Sequence, residues 1–451
     1  MSQTADSEST TEVVQCGQID SVIGILDSRV DFRVRTSWPR EEWKERGVDL
    51  KFFQCDETLL PGTNPEVEFP DLVTRFKTIA HLRKALKLHD PEKTFIIFFF
   101  HKYGVADYAL FRAVDRAGFK YAFLLSDEGD LPSPDFSNFE QSFFRELEGK
   151  PFYWRLRHLV KVSLMRAWRG FTPFIRIPND LRYHANALRY FADRTLGRIF
   201  KDRSLLRGPE FWVGKGQGSI DHYYPWAFPV GKRTRICWTH LFLYDRYLGF
   251  RGRLKNEPIA LYLGQNAPFY SHSGYRNVIE ARDYYARLTE LFQYVEKHLR
   301  LRIVKTTHPW GEPERINEWI KPYVISEGDS IAAVAEANFV MGHCSTALYY
   351  AVLFHKPAIF FTTDQLESMG DYGPYTRTMA KQLGKTPINL DRVPLDNIDW
   401  EAERAIDEGK YAAFKNYYIK RPGTPELPSW DIIWNAIHDA KESSPGRVES
   451  D

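Results

Sequence analysis

A chain of 451 residues is longer than one hydrophobic core usually organises, so two domains with added elements are expected. With 43% hydrophobic and 27% charged residues it has the composition of a packed globular protein, which excludes a disordered one. The net charge is only +2, and the four cysteines (Cys16, Cys55, Cys237 and Cys344) form no CxxC pair, so neither a zinc site nor a disulfide framework is indicated and a reducing compartment is expected.

In chain order, residues 1–18 read as a disordered polar tail, and MSQTADSESTTEVVQ has neither the basic nor the apolar region of a signal peptide. SVIGIL (21–26) and DLKFFQ (49–54) are predicted strands, and residues 73–89 carry helical spacing between Pro70 and Pro91. TFIIFFF is a third strand, and its apolar run is far shorter than the roughly 20 residues of a membrane span. Residues 107–118 predict a helix ending at Gly118, and FKYAFLLS a fourth strand. This alternation predicts a parallel sheet covered on both faces, a Rossmann-like domain over 19–135.

Residues 136–207 are helical in pattern but interrupted by prolines, and read as a basic insertion. Its part from 152 to 203 holds twelve Lys/Arg against Asp180, Asp193 and Asp202. Interleaved aromatics suit an anionic membrane surface or a polyanionic acceptor; an ordinary solvated face is the alternative, and no nucleic-acid motif accompanies it. Residues 208–257, with the short runs FWVG and TRICWT, read as the passage between domains. A second α/β series fills 258–442: IALYLG, a helix over 276–298, LRIVKT, a helix near 314–320, PYVIS, the helix SIAAVAEA, NFVMG, the helix STALYYAVLF and PAIFFT. Residues 443–451 form a second polar tail.

Three strand ends of this second series carry residues suited to an anion, and ligands of open α/β sheets sit at the carboxyl ends of strands. KTTHPW places His308, followed by Pro309, where an imidazole would donate to a leaving phosphate, or would be a satisfied loop histidine. NFVMGHCST stops at Gly342, and Ser345 and Thr346 open the next helix, either as phosphate donors or as a simple cap. Asp329 or Ser330 would cap a further helix, for which capping alone suffices. Gly264 and Gln265 follow the first strand, where backbone N–H groups would approach the donor. His240, Asp245, Gln265 and Asn266 would line the cleft or pack the domain junction.

The order HP, a Ser-capped or acid-capped helix, then GxxSTAxxxAxxxxKPxIF resembles the second half of bacterial sialyltransferases, polysialyltransferases and Kdo transferases of the GT-B type, over about sixty residues. The resemblance implies two Rossmann-like domains facing a cleft, the first (19–135) holding the acceptor and the second the nucleotide sugar. It also implies that His308 assists the departing phosphate and that Ser345 and Thr346 bind it; Thr346 stands where a second serine is usual. The acidic-acidic-glycine motif of the same enzymes falls on Asp127, Glu128 and Gly129, with Glu128 the first choice as general base, Asp127 the second, and a solvated turn the alternative.

The expectation is therefore an inverting, metal-independent transfer from a nucleotide sugar, with a CMP-linked ulosonic acid favoured, to a glycan or lipid-linked glycan of the bacterial surface, such as capsule or O-antigen. The enzyme would work in the cytoplasm at the inner membrane face, with no cofactor and no nucleic-acid partner. The competing readings are a nucleotide-sugar 2-epimerase and a non-catalytic scaffold of a polysaccharide assembly complex.

Overall fold

A computed structural model describes residues 19–26, 38–55, 71–100, 107–125, 206–219, 234–264, 267–269, 279–306, 323–325, 330–368 and 372–442. They form two wholly parallel sheets. The first contains β1 (Ser21–Leu26), β2 (Asp49–Gln54), β3 (Val73–Arg75), β4 (Thr94–Phe100), β5 (Lys120–Leu125), β6 (Phe211–Gly214) and β7 (Arg235–Trp238), in the order β3-β2-β1-β4-β5-β6-β7. The second contains β8 (Ile259–Leu263), β9 (Arg302–Thr306), β10 (Val324–Ile325), β11 (Phe339–Gly342), β12 (Ala358–Thr362) and β13 (Ile388–Asn389), ordered β10-β9-β8-β11-β12-β13. Each begins with three strands that step one way, then crosses over and steps the other way. That is the Rossmann order, repeated twice in one chain, which is what the label GT-B denotes.

Residues facing both ways from the strands are apolar because both faces are covered. Along β4, Phe95, Ile97 and Phe99 join one core, while Ile96 and Phe98 join the opposite one. The second core is closed by α2 (Ile79–Leu86), through Leu82 and Leu86, and by α3 (Asp107–Arg116), through Leu110, Phe111 and Val114. Gly118, just past α3, has φ +84, the left-handed conformation that ends helices and that glycine adopts without strain.

The first core is closed from far along the chain. Trp43 of α1 (Arg40–Glu45) meets α12 (Ser429–Glu442), which sends Trp430, Ile433 and Ile437 into the same core as Val22, Phe95 and Phe211. Trp430 lies 4.6 Å from Trp38 and 5.3 Å from Trp43 between ring centroids, a packing of rings worth about 1 kcal/mol per pair beyond the area it hides. Between those helices the chain also contains α4 (Phe242–Gly249), α5 (Ala281–Tyr294), α6 (Ser330–Glu336), α7 (Leu348–Leu353), α8 (Asp364–Ser368), α9 (Tyr372–Gln382), α10 (Trp400–Arg404) and α11 (Glu408–Phe414).

Four details differ from the sequence reading. Helical spacing over 73–89 predicted one helix, but Val73–Arg75 instead pairs with Phe52, Phe53 and Gln54 as an edge strand; Thr78, extended, then caps α2 by accepting from His81 N at 3.2 Å. FWVG and TRICWT, assigned to the passage between domains, supply β6 and β7 of the first sheet, because their buried residues complete its two cores. Residues 429–442, counted with the second domain, pack on the first. The helix over 276–298 is described from Ala281 and ends in a π-turn, Val295–Leu299, closed by Arg300 at φ 56.

The tails 1–18 and 443–451 and the basic segment 152–203 lie outside the described residues. Among the described residues no helix is long and apolar enough to cross a membrane.

Candidate functional site

The second sheet changes direction between β8 and β11, which are hydrogen-bonded neighbours with Gly342 opposite Leu263. Both strands run into glycine there. A Cβ on Gly264 would stand 2.7 Å from the Thr306 carbonyl oxygen, and one on Gly342 would stand 3.2 Å from the Leu263 carbonyl oxygen. Gly264 N–H donates to Thr306 O at 3.2 Å, so the N–H expected to approach the donor is instead spent within the sheet, and the glycine contributes room at this strand end rather than a donor. A crossover point with side-chain-free backbone is where a ligand can come closest to the ends of the strands.

Beyond Gly342 the chain turns through His343, Cys344, Ser345 and Thr346 into α7. His343 and Cys344 are buried, Ser345 is half-buried and Thr346 is exposed, so the two hydroxyls are on the outer side of the turn. Ser345 is not the cap of α7, the alternative reading of its hydroxyl. Its Oγ accepts from Ala347 N at 3.3 Å, and Ala347 is the N-cap. The physical reason is a tight entry: Leu348, Tyr349 and Tyr350 donate to the carbonyls of Ser345, Thr346 and Ala347, each three residues back. With only six residues, α7 adds little dipole at its start.

The inner side of the turn is pinned. His343 Nδ1 is 2.6 Å from Phe361 O, and its Nε2 is 2.7 Å from the Tyr284 hydroxyl, itself 2.8 Å from the Tyr262 hydroxyl. Burial pushes the His343 imidazole down to about 4, with the Phe361 carbonyl acting weakly the other way, so it is neutral at physiological pH. Burial pushes the Cys344 thiol up to about 12, against a hydrogen bond with the Thr376 side chain of α9, which leaves an unreactive thiol. One strand over, Lys305 is the register partner of Tyr262; it too is buried, and loss of water lowers its ammonium pKa.

Ser330 is the first residue of α6 and half-buried; Asp329 lies outside the described residues. The same is true of Asp127, Glu128, Gln265, Asn266, His308 and Pro309. The structure thus brings together Gly264, Gly342, Ser345 and Thr346 at one crossover.

His240 and Asp245 resolve to the packing alternative. His240 is fully buried; its Nε2 donates to Leu427 O at 2.8 Å and its Nδ1 faces Ser429 Oγ at 3.1 Å, while Asp245 Oδ1 accepts from Ser429 N at 2.8 Å. Nearby, Tyr244 donates to Glu426 at 3.0 Å, and Glu426 pairs with Lys420, also at 3.0 Å. These contacts hold the segment that carries the chain back to α12. Gly216 leaves no room for a Cβ beside the Tyr417 carbonyl.

Sequence reasoning missed His343, Tyr284 and Tyr262. The available signal was Tyr284, which shares its buried helix face with Leu288, Leu291 and Phe292 although its hydroxyl needs a partner there. Among the described residues no three His, Cys, Asp or Glu side chains group as metal ligands.

No family model and no curated protein matches the chain. Among solved structures it is similar to the glycotransferase of kitacinnamycin, at 12% identity over 93% of this chain and 99% of that one, with a TM-score of 0.47. It is also similar to UDP-GlcNAc 2-epimerase from Methanocaldococcus jannaschii, at 9% identity over 93% and 99% with a TM-score of 0.40. A third is the wall teichoic acid polymerase TagF, at 9% identity over 94% and 90% with a TM-score of 0.42. Scores of this size carry no argument for function, and the fold rests on the two strand orders described above.

Proposed function

We propose that this chain is a glycosyltransferase of the GT-B type that binds the phosphate of a nucleotide sugar at the β8/β11 crossover and transfers the sugar to a glycan acceptor. The observation that carries the reading is the convergence of Gly264, Gly342, Ser345 and Thr346: bare backbone on two adjacent strands, with two hydroxyls on the turn that follows. An anion held there by preorganised donors loses little on leaving water, and charge developing on a departing phosphate is met without rearrangement. Within this reading His308 assists that departure, and Glu128, or else Asp127, removes the proton of the acceptor hydroxyl. The favoured donor is a CMP-linked ulosonic acid and the favoured acceptor a surface glycan or its lipid-linked precursor. The basic segment 152–203 suits contact with an anionic membrane.

The reading is tested by calorimetry of CMP, UDP, GDP, dTDP and ADP on the wild type and on the double variant Ser345→Ala/Thr346→Ala. Binding of one nucleotide that weakens at least tenfold in the variant is expected, the size of losing one or two good hydrogen bonds to a charge. Equal binding by the two proteins removes the phosphate from this turn. Release of free sugar from the matching donor, with no acceptor present and none consumed, replaces the transferase by an epimerase or hydrolase.

A further inference from the structure

The turn that carries Ser345 and Thr346 hangs on one buried histidine, and the proton positions behind it follow from a single carbonyl. Phe361 O can only accept, so His343 Nδ1 carries the hydrogen of their 2.6 Å contact. Neutral His343 must then accept at Nε2, which makes the Tyr284 hydroxyl the donor at 2.7 Å. Its hydrogen being used there, Tyr284 receives one from Tyr262 across 2.8 Å. The relay therefore runs in one direction: Tyr262 to Tyr284 to His343 to Phe361.

It connects the elements around the crossover. Tyr262 belongs to β8, Tyr284 to α5, His343 to the first position after β11, and Phe361 to β12. All three relay side chains are buried. Their apolar surroundings would accommodate Phe or Leu at lower desolvation cost, whereas a completed polar chain in a dry interior selects one geometry among several similar packings. The geometry selected here is the direction in which Cys344, Ser345 and Thr346 leave the sheet, with Thr376 holding Cys344 from α9 on the other side.

We infer that His343, Tyr284 and Tyr262 are positioning residues for the donor phosphate: without touching the ligand, they aim the Ser345 and Thr346 hydroxyls at it. This inference rests on the phosphate reading of the turn.

The test compares Tyr284→Phe with Tyr411→Phe. Tyr411 is a buried tyrosine of the same domain, whose hydroxyl accepts from Ala358 N at 3.1 Å and donates to Lys356 O at 3.0 Å, so its loss is a comparable structural injury outside the relay. Calorimetry with CMP, UDP, GDP, dTDP and ADP is paired with hydrogen exchange of the 342–350 amides. The expected result is about tenfold weaker nucleotide binding and faster exchange of those amides in Tyr284→Phe, with affinity and local exchange in Tyr411→Phe as in the wild type. Equal losses in both variants, or none in Tyr284→Phe, overturn the inference. If the wild type binds none of the five, the phosphate reading fails by itself. Exchange then decides the relay: selective loosening in Tyr284→Phe keeps it as the organiser of the turn, and unchanged exchange removes it.

Discussion

Gly264 stands against Thr306 so closely that its hypothetical Cβ would lie 2.7 Å from the neighbouring carbonyl oxygen, whereas the same atom on Gly342 would lie 3.2 Å from the carbonyl of Leu263. The two glycines end adjacent strands at one crossover, yet they tolerate a methyl group differently. Backbone cannot rotate away as a side chain can, so Gly264→Ala must separate β8 from β9. We expect it to cost about 2–3 kcal/mol, with Gly342→Ala costing about 1 kcal/mol. Urea unfolding of the two variants checks the order, and a reversed order contradicts the strand geometry.

The buried His343 sets an acid limit on stability. Its folded pKa of about 4 lies below the 6.5 of an exposed imidazole. Between those values the unfolded chain binds a proton that the folded chain refuses. This stabilising contribution is therefore complete above about pH 6.5 and is lost as pH falls toward 4, a difference of about 3 kcal/mol. His343→Asn should flatten the pH dependence of the urea midpoint in that window; a profile as steep as the wild type's would show that another group is responsible.

Trp430 joins two parts of the chain. Replacing it by alanine opens a void beside Trp38 and Trp43 and should cost about 3–5 kcal/mol. Because Trp38, Trp43 and Phe242 around it pack in the core of the first sheet, near-ultraviolet circular dichroism of the tryptophans should change while the crossover turn keeps its hydrogen-exchange protection. Simultaneous loosening of both would mean that the two sheets unfold as one unit.

Thr78 offers a smaller and more local test. Its side chain caps α2, and Thr78→Ala should cost about 1 kcal/mol, against a few tenths for Thr78→Gly. No loss in Thr78→Ala would show that the hydrogen bond to His81 N contributes nothing.

What could be read in the sequence followed the range of the forces involved. Phe95 to Phe99 declare a strand buried on both faces by composition alone, and Gly118 declares a helix end because its conformation is local. Val73–Arg75 was hidden because three residues carry too little pattern, and what makes them a strand is Phe52–Gln54, about twenty residues away. Sheet membership of FWVG and RICW was hidden for the same reason: their partners are fixed by cores assembled from distant segments. The place of Gly342, Ser345 and Thr346 just past β11 was legible because the end of a short apolar run is a local signal. His343 was not, since nothing local says that an imidazole between Gly342 and Cys344 turns inward to a carbonyl on β12.

Arg46 on one side of the first sheet bonds Asp431 at 2.7 Å across 385 positions of sequence. That separation bears on how the protein is made. While the ribosome is still translating the second sheet, the face of the first that carries Phe95, Ile97 and Phe211 has no α12 to cover it. Within this chain the first sheet is thus made before the second yet covered only after it, and in between it presents an apolar surface of the kind chaperones hold.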